Sequence, residues 1–240
     1  MTRFLAASIW LGIAFAQVTF DAASVRRSEI NRGVDARGQV AFGPNRVSAK
    51  NVTLKHLIAT AYQVQHSQIA GGPRWLDSQE FDIEARMEAE VTRVQLRQML
   101  QALLAERFHL VFRKETKDLR VHALVVDKNG FKTKQGGGGQ HFHGDMRQLA
   151  DLIAVQATIP AAVDPGRPAM AGGAPILVID KTGLDGVYDF DLDLRPELGT
   201  DQFTLWQRVL REQLGLRLES QKAKVEVLVI DAADRIPGAN

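Results

Sequence analysis

The chain contains no cysteine among its 240 residues. This absence excludes disulfide bonds, a catalytic thiol and metal sites built on thiolates. The hydrophobic content of 45% and the charged content of 24% are those of an ordinary globular protein. We therefore expect hydrophobic packing alone to hold the fold together.

The chain also lacks an excess of charge of either sign. Its 30 lysines and arginines stand against 28 aspartates and glutamates, so the formal net charge is +2. The nearest approach to a basic cluster is Arg26, Arg27 and Arg32, which we interpret as solvated surface. Nucleic-acid binding normally needs basic residues concentrated on one face. The composition therefore argues against a nucleic-acid partner.

No apolar run reaches the roughly 20 residues that a membrane-spanning helix requires. The nearest approach is N-terminal, where Arg3 is followed by an uncharged, mostly apolar segment that ends in Ala-Phe-Ala at residues 14–16, a small-x-small cleavage pattern. We predict that residues 1–16 are a signal peptide, with an uncleaved membrane anchor as the alternative. Either reading exports the body of the protein to the periplasm or the extracellular space, and signal cleavage would leave no membrane span.

Sequence motifs for hydrolytic chemistry are missing as well, since neither Gly-x-Ser-x-Gly nor His-Glu-x-x-His occurs. The four consecutive glycines at residues 136–139 lack the Gly-Lys-Ser/Thr ending of a phosphate-binding loop. We interpret residues 129–140 as a glycine-rich linker between two units. Because catalytic triads assemble from distant residues, the missing motifs weaken the case for an enzyme without removing it.

The remaining pattern predicts an α+β fold. Thr53 and Thr92 each precede a helix with one apolar face, and strands with alternating apolar residues flank these helices. The order of elements in residues 17–128 recurs in shorter form in residues 141–240. We therefore predict two related β-α-β-β-α-β units, each a small mixed sheet covered by two amphipathic helices.

Each unit is expected to close with a hairpin. In the first unit, strands over residues 108–112 and 121–126 are separated by the polar residues 115–118, which favour a turn. In the second unit, strands over residues 216–218 and 225–230 occupy the corresponding positions. The similar lengths of these closing segments are part of the evidence for an internal repeat.

The second unit contains the least regular part of the chain. Asp145 and Thr204 are its predicted helix caps, and residues 156–175 between the two helices are rich in Ala, Pro and Gly. A loop of that length inside a compact domain is unusual, so we expect it to be either mobile or functional. A glycine-bearing turn that runs into an alternating strand at residues 180–194 echoes a similar stretch at residues 72–85.

These two turns supply the candidate binding residues. Trp75 follows Gly-Gly-Pro, a position that can present its ring to a partner beside Arg74; the alternative is a ring folded back onto the core. In the second turn Lys181, Thr182 and Asp185 are similar candidates. The glycines of that turn are more simply explained by unusual backbone angles.

His141, His143 and Asp145 are the candidate metal ligands. They alternate, so on an extended segment all three point one way, as metal ligands sometimes do. The alternative is that they are polar loop residues beside the glycine linker. The aspartates at every second position of residues 189–193 do not match a calcium-binding loop, and their alternation with apolar residues indicates a solvated strand face. We expect no bound cofactor.

Several segments taken together resemble a known family. They are residues 51–58 (Asn-Val-Thr-Leu-Lys-His-Leu-Ile), 71–77 (Gly-Gly-Pro-Arg-Trp-Leu-Asp), 103–108, 180–184 and 225–231. The chain is similar to DUF3738, a family of exported soil-bacterial proteins abundant in Acidobacteria, which has no established activity. Some relatives are associated with membrane metallopeptidases of the antibiotic-sensor type, which implies envelope sensing. More distantly, each unit resembles the short N-terminal domain of secretins and TonB-dependent receptors, which implies contacts between envelope proteins.

Two hypotheses of function follow from the sequence. The first is a non-catalytic binding, scaffolding or sensing module of the cell envelope, whose sheet edges or turns bind another envelope protein. The second is an exported hydrolase with an active site between the two units, under residues 156–175. A pocket in which His, Ser and acidic side chains converge would favour the hydrolase.

Overall fold

The structure, a computed structural model, describes residues 19–28, 38–132, 139–157, 176–195 and 199–238. The predicted signal peptide, half of the glycine-rich linker (residues 133–138) and most of the 156–175 loop lie outside the described residues. Within the described ranges the chain forms four α-helices and a set of mixed and antiparallel sheets. The predicted α+β class is confirmed.

The N-terminal part of the chain forms one antiparallel sheet with two helices. Four of its strands pair in the order β1-β5-β3-β2, every neighbouring pair being antiparallel. The elements in chain order are β1 (Ala22–Arg27), β2 (Gln39–Phe42), β3 (Arg46–Thr53), α1 (Leu54–Tyr62), β4 (Ile69–Gly71), β5 (Glu80–Arg86) and α2 (Arg93–Phe108).

The remaining elements include two strands that are much longer than the others. The elements in chain order are β6 (Val111–Val126), β7 (Gln140–Gly144), α3 (Met146–Gln156), β8 (Val178–Asp180), β9 (Tyr188–Leu192), α4 (Gln202–Val209) with a π-helical turn (Leu210–Leu214), and β10 (Leu216–Ala232). No helix in the described part of the chain combines the length and the apolar character that a membrane span needs.

Three of the four predicted helix caps are confirmed. The hydroxyl of Thr53 accepts from the backbone N–H of His56 at 3.3 Å, and Thr92 and Asp145 each form a reciprocal capping box. The prediction for α4 is wrong, because Asp201 caps this helix and accepts from the backbone N–H of Thr204 at 3.0 Å. The carboxylate three residues earlier is the better acceptor, and Asp201 has the extended backbone that a cap requires.

The predicted hairpins are wrong. Strands β6 and β10 run without interruption and pair with each other, antiparallel, from Leu216 opposite Val126 to Ile230 opposite Phe112. The polar residues 115–118 lie in the middle of β6 and form no turn. We call this pair of strands the ribbon. Its polar middle lies opposite the buried Val225 and Val227 of β10, so β6 continues as a strand through residues whose composition alone favours a turn.

The ribbon is the centre of a four-stranded mixed sheet with the order β4-β10-β6-β8. β4 lies parallel to β10, with Ile69 opposite Leu228, and β8 lies parallel to β6, with Val178 opposite His122. The sequence predicts one mixed sheet in each unit. The described part of the structure instead has a single mixed sheet, β4-β10-β6-β8, to which both halves of the chain contribute strands. β7 and β9 form a separate antiparallel pair. The unit boundaries and the internal repeat stay predictions.

Each long strand contributes to the two large hydrophobic cores and to a third, small cluster of Val121, Leu177 and Val225. The first core is built mostly from residues before β6, yet it contains Leu228 and Ile230 from the end of β10, which are 1% and 3% exposed. The second core surrounds the fully buried Trp206 and contains Leu124 from the far end of β6. Trp206 belongs to α4. Leu124, Leu228 and Ile230 all lie on the same face of the ribbon. The two cores are thus tied together through the backbone of the ribbon.

A single glutamine side chain adds a second connection between the halves. Nε2 of Gln65 donates to the carbonyl of Val178 at 2.6 Å and to the carboxylate of Asp151 at 2.8 Å. Its Oε1 accepts from the backbone N–H of Val178 at 3.0 Å. The amide thus satisfies both backbone groups of a residue in β8, as a neighbouring strand would do. Burial raises the pKa of Asp151, while the hydrogen bond from Gln65 acts in the opposite direction.

We predict that Leu228→Ala lowers the free energy of unfolding by about 2–5 kcal/mol, because it opens a cavity in the first core. Lys222→Ala, an exposed position on the same strand, is the matched control and should change the stability by less than about 0.5 kcal/mol. Urea unfolding followed by tryptophan fluorescence measures both. Equal stability of the Leu228 variant and the parent would contradict the contribution of the last strand to the first core.

Candidate binding surfaces

The first predicted turn forms a tight corner over residues 71–78, which we call the first corner. Gly71 and Gly72 adopt φ angles of 71° and 73°, and a Cβ on Gly72 would stand 2.4 Å from Cδ1 of Leu76. A 3₁₀ turn over Arg74–Asp77 follows. Lys55 of α1 pairs with Asp77 at 2.8 Å and anchors this turn to the helix. The glycines therefore serve a close approach of the backbone.

Trp75 folds back toward the protein. Its ring packs edge to face on Phe81, with ring centroids 6.3 Å apart, and lies partly buried against the first core. Arg74 is exposed beside it. The binding role of both residues stays a prediction. The packing of the indole ring corresponds to the alternative considered from the sequence, in which the ring covers the core.

The second predicted turn, residues 180–188, forms a hydrogen-bonded corner, which we call the second corner. Oδ1 of Asp180 accepts from the backbone N–H of Thr182 at 2.9 Å and from its hydroxyl at 2.8 Å. The same hydroxyl oxygen accepts from the backbone N–H of Leu184 at 3.1 Å. The hydroxyl of Tyr188 donates to the carbonyl of Asp185 at 2.9 Å. These contacts use Thr182 to hold the backbone of the turn.

Outward-facing groups occupy the rest of the second corner. Lys181 and Asp185 are exposed, and Val187 is 66% exposed. Gly183 and Gly186 have positive φ angles, and no atom lies within 4 Å of the place where their Cβ atoms would stand. The outer surface of this corner is therefore accessible to a partner, while hydrogen bonds inside the turn hold its backbone in place.

The candidate metal ligands divide between a strand and a helix cap. His141 and His143 face solvent on β7, and their Nδ1 atoms lie 3.1 Å from carboxylate oxygens of Asp191 and Asp189 on β9. Asp145 lies beyond the strand, where its Oδ1 caps α3 by accepting from Gln148 at 2.7 Å. In the described part of the chain, no three His, Asp or Glu side chains are arranged to hold a metal ion. The proposed metal site stays a prediction.

A pair of partly buried histidines lies close to the first corner. The rings of His56 and His66 meet edge to face, with centroids 5.2 Å apart. Burial is the main cause that lowers the pKa of both. For His66 the neighbouring His56 and Lys55 lower the pKa further and Asp77 raises it, so that its pKa is about 4. The two imidazoles are thus neutral near pH 7.

A small cleft lies between the start of the described chain and α2. Its volume is about 170 Å³, below the roughly 300–1,000 Å³ of most small-molecule sites. Glu106, Arg107 and Asp21 are the charged residues in its lining. None of the residues predicted to bind a partner or a metal lines this cleft.

Comparison with known families gives one result. The family model described as a protein of unknown function, DUF3738, matches residues 55–233. This range is roughly three quarters of the chain. The chain belongs to DUF3738. No curated protein and no solved structure matches it. The DUF3738 match includes both corners, the histidines of β7 and the whole ribbon, and the family description assigns no activity to any of them.

Sequence reasoning missed three residues of this DUF3738 protein: the exposed Val187 of the second corner, and Gln65 and Asp151, which are hydrogen-bonded to each other. Val187 could have been found, because it stands one residue before an alternating strand whose Phe190 and Leu192 point inward. Gln65 and Asp151 gave no local signal. Their hydrogen bond joins positions 86 residues apart in the sequence, so that only the folded chain brings them together.

We predict that the free energy of unfolding of this DUF3738 protein falls as the pH is lowered from about 6.5 to about 4. In this window the unfolded chain binds a proton at His66, whose ordinary pKa is 6.5, while the folded protein does not, because its pKa is about 4. Urea unfolding at several pH values measures the slope. His66→Gln should reduce the slope in this window and leave the slope above pH 7 unchanged, and an identical slope below pH 6.5 would contradict the assignment.

Proposed function

We propose that this DUF3738 protein is an exported, non-catalytic binding or scaffolding module of the cell envelope, and that the second corner contacts its partner. The observation that carries the proposal is the combination of a fixed backbone with an open surface at residues 180–188. A turn that is already ordered loses little conformational entropy when a partner binds.

The chemistry of the corner suits a protein partner. Val187 is an apolar side chain that is 66% exposed, and Lys181 and Asp185 beside it carry opposite charges. An apolar contact surrounded by polar groups is the usual composition of a protein interface. We assign Val187 as the central contact and the two charged residues as the rim.

The adjoining strand offers a second way to bind. The second corner leads directly into β9, and among the described residues β9 and β7 pair only with each other. Each of these strands therefore has an edge with backbone groups available for an added strand. A partner that contacts the corner and adds a strand to β9 would use both features.

The first corner contributes less to this proposal. Trp75 packs on Phe81, and Lys55 holds the turn through Asp77. Arg74 remains its exposed candidate. The export and the envelope location come from the predicted signal peptide and from the resemblance to exported soil-bacterial proteins.

We predict that a photo-crosslinking amino acid at position 181 or 185 captures one specific envelope protein in cells that produce the chain. The same amino acid at position 128, where Lys128 is also exposed on a turn, is the matched control and should capture nothing. Val187→Ser should remove the crosslinked band. Equal bands at positions 128 and 181, or recovery of the protein only from the cytoplasmic fraction, would count against the proposal.

We also predict that the purified protein does not turn over ester, peptide, glycoside or phosphate substrates above the rate in buffer. Its strand histidines His141 and His143 are paired with aspartates on an exposed face, an arrangement without the enclosed, water-excluding surroundings that hydrolytic sites use. A turnover that survives further purification and is lost in His141→Ala or His66→Ala would instead favour the hydrolase hypothesis.

A further inference from the structure

Two arginines of α2 share one aromatic ring. Arg93 and Arg97 are one helical turn apart, so they lie on the same side of the helix. Their guanidinium carbons lie 5.3 and 5.7 Å from the ring centroid of Phe42, the last residue of β2. Both distances are within the range of a cation–π contact. The ring therefore holds two like charges close to each other.

A third arginine comes from the other half of the chain. Burial is the main cause that lowers the pKa of Arg97, and the charges of Arg93 and of Arg147 lower it further. Arg147 lies in the first turn of α3. The guanidinium groups of Arg93 and Arg147 are thus each close enough to Arg97 for their like charges to act on it.

Among the described residues, the nearby carboxylates form no ion pair with this cluster. Burial raises the pKa of Asp151 and the charge of Arg147 lowers it, so these two groups attract each other, but the Asp151 carboxylate is hydrogen-bonded to Gln65 and Asp145 caps α3. In the described part of the chain, none of the three guanidinium groups forms an ion pair with a carboxylate. Repulsion between like charges costs free energy that a bound anion would offset.

We propose that Arg93, Arg97 and Arg147 bind a phosphate group of a ligand, with Phe42 holding two of the three guanidinium groups in place. A guanidinium presents a fork of donors that matches the oxygens of carboxylate and phosphate. A carboxylate has two oxygens and one charge, which a single fork satisfies. A phosphate monoester has three acceptor oxygens and a charge of about −1.5 to −2, and it can engage several forks together.

This site goes beyond the proposed partner contact and uses none of the residues of the second corner. Phosphate binding is measured on the purified protein without any partner. The two proposals therefore stand or fail separately.

The test is calorimetric titration of inorganic phosphate into the purified protein at constant ionic strength, with sodium chloride as the balancing salt. We expect phosphate to bind, and we expect Arg97→Gln and Arg147→Gln each to weaken binding at least about tenfold through the loss of a charge-assisted contact. Arg97→Lys keeps the charge but loses the fork, so it should bind more weakly than the parent and more tightly than Arg97→Gln. Phe42→Leu should give a smaller loss.

Arg211→Gln is the matched control, because it removes the same charge from an exposed position on the π-helical turn and should leave phosphate binding unchanged. A second arm uses phosphatidylcholine vesicles with and without phosphatidic acid, which distinguishes a lipid headgroup from a soluble phosphate. Binding in either arm that depends on Arg97 and Arg147 supports the site. No binding in both arms, or an equal loss in the Arg211 variant, overturns it.

Arg97 is partly buried, so each variant is first compared with the parent by circular dichroism and thermal unfolding. If Arg97→Gln does not fold, the decision rests on Arg147→Gln, whose side chain is exposed, and on Arg97→Lys. Unchanged binding in both of these variants overturns the proposal.

Discussion

The antiparallel pairing of β6 with β10 is the interaction on which the rest of the fold depends. It brings Leu228 and Ile230 into the first core and Leu124 into the second, so that neither core is complete without the opposite strand. Its outer edges receive β4 and β8, the two strands that lead directly into the corners. The pairing therefore orients both corners, and a change that weakened it would alter the surfaces that we propose for binding.

The nearly neutral composition conceals charges that are separated in space. On β7 and β9 each histidine lies opposite an aspartate, which makes that face locally balanced. Arg93 and Arg97 instead lie over one aromatic ring, the charge of Arg147 acts on Arg97, and none of the three has an ion-paired carboxylate among the described residues. Because net charge is only a sum, it argues against an overall basic protein but says nothing about a small cluster formed by two helices.

Local patterns predicted local structure well and long-range pairing poorly. The caps at Thr53, Thr92 and Asp145 depend on side chains within three residues, and the alternation over β9 depends on a period of two. The polar middle of β6 has the composition of a turn, yet it continues as a strand because it pairs with β10, whose Val225 and Val227 are buried opposite it. Trp75 likewise follows a turn, but the sequence does not reveal on which side of that turn its ring lies.

The sequence by itself determined the α+β class, most helix starts, the absence of disulfides and the membership of DUF3738. The tertiary structure alone decided that the two longest strands pair with each other, that Gln65 completes the hydrogen bonding of Val178 across 113 positions of sequence, and that Arg147 joins the arginines of α2. The physical reason is the range of the forces involved. Caps and periodicity act between neighbours, whereas strand pairing and charge clustering depend on which distant surfaces bury the most apolar area together.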